Sequence, residues 1–182
     1  AEVVAELHPT GPGTRARARG YTAIFGRDAN AASATFGKLD FLGEVRDGVD
    51  GADGLNLARG LALSPDGAHL YVVGEADNAV AVFARNAGSG ALTFVEFHSD
   101  GVAGVFGLAG ARAVAISPDG GQVYVAGGTA NAVAHFTRQA ASASPEFGKL
   151  TFVSAYVDGT GGVDGLQGAA AVLVSPDPVG TD

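Results

Sequence analysis

Two arginines, Arg59 and Arg112, stand 53 residues apart, each followed by an apolar run that ends in Ser-Pro-Asp-Gly. Guanidinium groups converging from equivalent positions can hold a carboxylate or phosphate bidentately; the simpler reading pairs them with nearby aspartates such as Asp50 or Asp53. Asn78 and Asn131 recur at the same spacing and join these residues in one candidate ligand site. The run from Asp47 through Asp50 to Asp53 places a carboxylate at every third residue. Calcium takes oxygen ligands from such Asp/Gly loops, but this is not the alternation of an EF-hand, and turn formation explains it more simply. His8, His69, His98 and His135 fall at four different places in the pattern described below, which argues against a zinc site or a histidine-based triad. His69 and His135 are expected to point outward. No Gly-x-Ser-x-Gly elbow is present, and the Gly-rich links lack the strand-to-helix setting of a phosphate loop. Thr14–Arg19 alternates arginine with small residues, which suits a solvated edge that discourages strand pairing better than a docking site for an acidic partner. No nucleophile or general base is assigned.

The elements that position these residues are repeated. Gly60–Gly67 returns as Ala113–Gly120 after 53 residues, and again as Ala171–Asp177 after a further 58. Phe41, Phe94 and Phe152 keep those spacings, as do Asp47, Asp100 and Asp158. Phe25, Phe83 and Phe136 run 58 and then 53 apart, and so do Arg27, Arg85 and Arg138. The five-residue difference lies in 28–38 and 139–149, where a hairpin tip lengthens without shifting strand register.

Each unit reads as four short strands. Arg59–Leu63 ends in a turn with Pro at its second position; His69–Val73, Ala79–Ala84 and Leu92–Phe97 follow, separated by Asp/Asn and Gly/Ser turns. A Gly-rich link leads to the next unit. Tandem four-stranded antiparallel units of 53 to 58 residues make an all-β fold, a β-propeller whose ring is incomplete within these residues. Tyr21–Arg27 matches a third strand, while Val3–Gly11 reads as a decayed first strand and turn. The division is then 1–45 a degenerate blade, 46–98 and 99–156 two clear blades, and 157–182 a link with the first strand of a further blade. Three blades and a fraction do not close a ring. The chain is therefore a segment of a longer propeller, or several copies share one ring, or another protein caps the open array. In the second case Ala171, Val172, Leu173 and Val174 form a strand-exchange interface with a neighbour.

The chain of 182 residues carries a net charge of −8, and both halves are acidic. That field opposes nucleic-acid binding. Cysteine is absent, which removes disulfides, thiol nucleophiles and cysteine-ligated zinc. No apolar run reaches the roughly 18 residues of a transmembrane segment.

The stretch Ala113–Gly127, with Asn131-Ala132-Val133 and Phe136 after it, resembles the repeats of lactonase-type propellers, the 6-phosphogluconolactonase-like and YVTN-repeat proteins. The resemblance implies hydrolysis of a sugar lactone, and it implies an exported protein, extracellular or periplasmic. The motif itself encodes turns and packing, so architecture follows from it more directly than activity. Repetition without an assembled catalytic constellation favours a non-catalytic structural or protein-interaction module, completed by a protein partner or by self-association. The alternative is a lactonase-like hydrolase whose site is completed by blades outside this chain. No cofactor is expected, unless calcium is held by Asp47, Asp50 and Asp53.

Overall fold

A computed structural model describes residues 2–7 and 20–175. Among them there is no helix, and hence none long and apolar enough to cross a membrane. The first sheet holds β1 (Glu2–Leu7), β2 (Tyr21–Arg27) and β3 (Leu39–Arg46). The second holds β4 (Ala58–Leu63), β5 (His69–Gly74), β6 (Ala79–Arg85) and β7 (Leu92–Ser99). The third holds β8 (Ala111–Ile116), β9 (Gln122–Gly127), β10 (Ala132–Arg138) and β11 (Leu150–Val157). All neighbours are antiparallel, and the three sheets are successive blades of an open, incomplete propeller.

The first blade corrects the sequence reading. Val3–Leu7 belongs to β1, which pairs directly with β2, Leu7 facing Tyr21, as β5 pairs with β6. It therefore occupies a second strand's place and not a first strand's. The His8–Gly11 turn and Thr14–Arg19 lie outside the described residues.

Turns and links repeat their chemistry as well as their sequence. Ser64 Oγ donates to Asp66 at 2.5 Å and accepts the His69 amide at 3.0 Å, closing the Ser-Pro-Asp-Gly turn. Ser117, Asp119 and the Gln122 amide do the same one blade on. In the links, Asp47, Asp100 and Asp158 each accept the amide eight residues ahead, on Leu55, Leu108 and Leu166. The Asp-Gly pairs are thus braces for link backbone.

Strand alternation sends successive side chains to opposite faces, and the second blade is covered on both. Tyr71, Val73, Val80 and Val82 pack with Val123, Val125 and Phe136 of the third blade. Leu70, Val72, Ala81 and Phe83 pack with Ala52, Leu55 and Ala58, with Val45 of the first blade against them. For this reason His69, expected to face outward, is buried.

His69 lies in a polar joint inside that apolar seam. Arg138, at the end of β10, has a side chain 1% exposed and reaches back to the second blade. Its Nη2 donates to Asp66 at 2.7 Å, its Nε to the Tyr71 hydroxyl at 2.8 Å and its Nη1 to the Gly120 carbonyl at 3.2 Å. Tyr71 passes its own proton to the Gly148 carbonyl at 2.7 Å. Arg138 also lies 3.2 Å from His69 Nδ1, which must then act as acceptor, so the imidazole is neutral. Burial and the Arg138 charge both push its pKa below the usual value. The Phe147 ring closes over the joint, edge-on to His69 at 4.6 Å and under the Arg138 guanidinium.

Replacing Arg138 by Met should destabilise the fold by about 2 kcal/mol in urea titrations, since it strips the buried Tyr71 hydroxyl and the partly exposed Asp66 carboxylate of their donor. The Asp66 carboxyl falls to about 2: burial raises it, but bonds from Ser64, the Ala68 amide and Arg138 outweigh that. A lowered acid contributes stability above its unfolded value and loses it as pH falls toward the folded one. Stability should therefore drop between about pH 3.8 and about 2. Asp66→Asn should remove that part of the slope, and an unchanged slope would refute the assignment.

Candidate functional site

Arg59 and Arg112 sit one residue inside β4 and β8, the innermost strands, and in both cases the arginine is the bulged residue. Ala58 pairs with Gly74 and Gly60 with Val73, leaving Arg59 unmatched; Ala111 pairs with Gly127 and Ala113 with Ala126, leaving Arg112 unmatched. A bulge breaks alternation and re-aims one side chain, and bulges of this kind gather beside active sites.

Both guanidinium groups are aimed at one carboxylate. Arg59 Nε donates to Glu75 Oε2 at 2.6 Å, and Arg112 Nε to Glu75 Oε1 at 3.3 Å. The side chains of Arg59 and Arg112 remain 47% and 40% exposed, while Glu75 is 19% exposed beneath them. Burial raises the Glu75 pKa, but the two arginines outweigh it and hold the carboxyl below its ordinary value. Glu75 is therefore an anion that fixes two cations of a site with a net positive charge. Each arginine spends Nε on Glu75, which leaves the Nη groups of both for a ligand.

Glu75 has no counterpart in the next blade. Position 128, its equivalent 53 residues later, is glycine. A Cβ there would lie 2.8 Å from the Arg112 guanidinium carbon, so the missing side chain makes the room that Arg112 occupies. The arginines stand out in the sequence because they repeat; the Glu75–Asn78 turn is expected on the ligand face, but Glu75 itself is not singled out because it does not repeat.

The other predicted site residues are placed elsewhere. Asn78 and Asn131 adopt positive φ, and their Oδ1 atoms accept the Gly110 and Gly168 amides at 2.7 Å, pinning the links. Asp50 lies in the exposed link turn, also at positive φ, away from both arginines' contacts. Arg59 and Arg112 therefore pair with Glu75 and not with Asp50 or Asp53. Asp47 and Asp53 converge with Asp77, their oxygens within 4.8 Å of one another; Asp50 is not in the group. Each of the three accepts a link amide, from Leu55, Gly54 and Asn56 respectively, and this bracing brings them together. Ala171–Val174 pair with no strand among the described residues, and Leu173 is 90% exposed. His135 is half-buried, stacked on Tyr124 at 4.8 Å and bonded to Gln122.

Comparison with known proteins agrees with the architecture. The description of the lactonase family, a seven-bladed β-propeller, matches residues 52–157. A periplasmic gluconolactonase from Pseudomonas aeruginosa is 29% identical, with a TM-score of 0.55, over 74% of this chain and 33% of its own. A 6-phosphogluconolactonase candidate from Bacteroides fragilis is 25% identical, with a TM-score of 0.54, over 76% and 33%. Hydrazine synthase from Kuenenia stuttgartiensis is 16% identical at a TM-score of 0.60 over 97% and 50%, a likeness of fold alone. Among curated proteins none matches. The chain spans about a third of the length of the two lactonase-like structures. With more than half its residues matched and the blades in place, the chain belongs to the lactonase family of seven-bladed β-propellers.

Proposed function

We propose that this chain forms part of a hydrolase that opens a sugar lactone, with Arg59 and Arg112 as its substrate-binding and oxyanion-stabilising groups. The observation that carries this reading is the pair of bulges that turn two inner-strand arginines onto one carboxylate. The gluconolactonase among the similar structures supports the substrate class. The rival reading, a non-catalytic interaction module, draws no such support from the comparisons.

In the reaction, water adds to the lactone carbonyl and the charge of the tetrahedral intermediate settles on the former carbonyl oxygen. Arginine Nη groups that are already oriented stabilise that charge without reorganising. The ring C–O bond then breaks, and the proton lost by the water ends on the released hydroxyl. Glu75, held ionised at low pKa, is a weak base; its part is to position the arginines. The remaining polar groups of the site come from blades outside this chain. An extracytoplasmic location, extracellular or periplasmic, accords with the periplasmic relative.

Hydrolysis of glucono-δ-lactone should exceed the spontaneous rate, and Arg59→Ala or Arg112→Ala should each lower kcat/KM by about 100-fold. An unaltered rate in both variants would remove the site, and no acceleration by the intact propeller would remove the enzyme. Gly128→Val should push Arg112 off Glu75, let the Glu75 carboxyl titrate at higher pH by NMR, and change stability by under about 1 kcal/mol. A Glu75 titration identical to the parent's would contradict the geometry.

A further inference from the structure

Lactone hydrolysis changes the charge of what the site holds. The lactone enters neutral. Water adds its oxygen to the carbonyl carbon, the ring C–O bond breaks, and the carboxylic acid so formed loses its proton to solvent, since such acids are ionised at neutral pH. The product is an open-chain hydroxy acid with one negative charge, released beside two guanidinium groups.

The geometry of the arginine pair suits that anion. Arg59 and Arg112 each commit Nε to Glu75 and stay half-exposed, with Nη groups to spare. The backbone fixes their spacing: Gly60, next to Arg59, lies against the Arg112 carbonyl, where a Cβ would come within 2.7 Å of the oxygen. A carboxylate matches the fork of donors that a guanidinium presents. Two guanidinium charges less the ionised Glu75 leave one positive charge, which attracts the acid and not the lactone. The chain as a whole stands at −8, but at physiological salt exposed charges are screened beyond about 8 Å, so the arginines in contact decide. An oxyanion hole of backbone amides carries no net charge. A guanidinium pair does, and it attracts a carboxylate product as well as an oxyanionic intermediate.

Resting on the lactonase reading, we infer that the site binds its own ring-opened product through Arg59 and Arg112, so that the sugar acid inhibits hydrolysis, and that Glu75 competes with the product for the two arginines. The Glu75 carboxylate displays the mode of binding, one oxygen to each arginine. By cancelling one of the two cations it limits how tightly the product is held. The asymmetry between the blades thereby has a second use. A glutamate at position 128 as well would bring the cluster to zero charge, and the glycine there keeps it positive.

Calorimetric titration of the intact propeller with sodium gluconate, run beside initial rates on glucono-δ-lactone, tests this. Gluconate should bind and should compete with the lactone at an inhibition constant below the lactone's KM. Sorbitol, of the same length but without the carboxylate, should do neither. Arg59→Ala and Arg112→Ala should each weaken gluconate by at least about 10-fold. Glu75→Gln should slow hydrolysis and yet tighten gluconate by about 5-fold, because a neighbouring negative charge is removed in a partly solvated site. A role for Glu75 in positioning alone would weaken both. Hydrolysis without gluconate binding, sorbitol binding as tightly as gluconate, or weaker gluconate binding in Glu75→Gln would overturn the inference and leave the lactonase reading standing. Gluconate binding with no hydrolysis would instead remove the lactonase reading, and product inhibition with it.

Discussion

A guanidinium cannot be buried without partners, and the Arg138 side chain is almost wholly buried. Its donors are divided between its own blade's turn at Gly120 and the preceding blade's Asp66 and Tyr71. The rest of the seam between the second and third blades is mainly apolar, chiefly valine, leucine, alanine and phenylalanine, which fix proximity but not register, joined by the bonds of Tyr71 to Gly148 and of the Leu150 amide to Glu96. The arginine is the main source of register among these polar contacts, because its fork meets a carboxylate and a phenol only at one relative position of the two sheets. That register brings the inner strands β4 and β8 alongside each other, and so sets Arg112 of one blade against Glu75 of the other.

The candidate site follows from this as a local departure from symmetry on a symmetric scaffold. The bulges at Arg59 and Arg112 are alike, as the repeat requires. Positions 75 and 128 are not alike, and the difference converts two equivalent arginines into one asymmetric cluster. A repeat builds the frame and a substitution within one unit builds the chemistry. The seam arginine and the site arginines do different work: the former is buried and satisfied, the latter half-exposed with nitrogens to spare.

The strands from β4 onward were legible to within a residue or two, because Ser-Pro-Asp-Gly, Asp-Asn and Gly-Ser turns bracket them. β1 was not, since a short apolar run such as Val-Val-Ala suits a first strand or a second, and only pairing decides. His69 misled because alternation predicts an outer face, and a strand covered by blades on both sides has none. Glu75 lies in a turn the sequence places on the ligand face, but it does not repeat and so does not stand out there. The place to look for it was where the repeat fails beside residues that keep it.

Native-state hydrogen exchange tests the coupling of blades most directly. If the buried arginine joint makes the second and third blades one cooperative unit, the amides of Val72 and Val82 should exchange with the same opening free energy as those of Val123 and Val125. Two distinct free energies, one for each sheet, would mean that the blades open independently and that the arginine does not set their register.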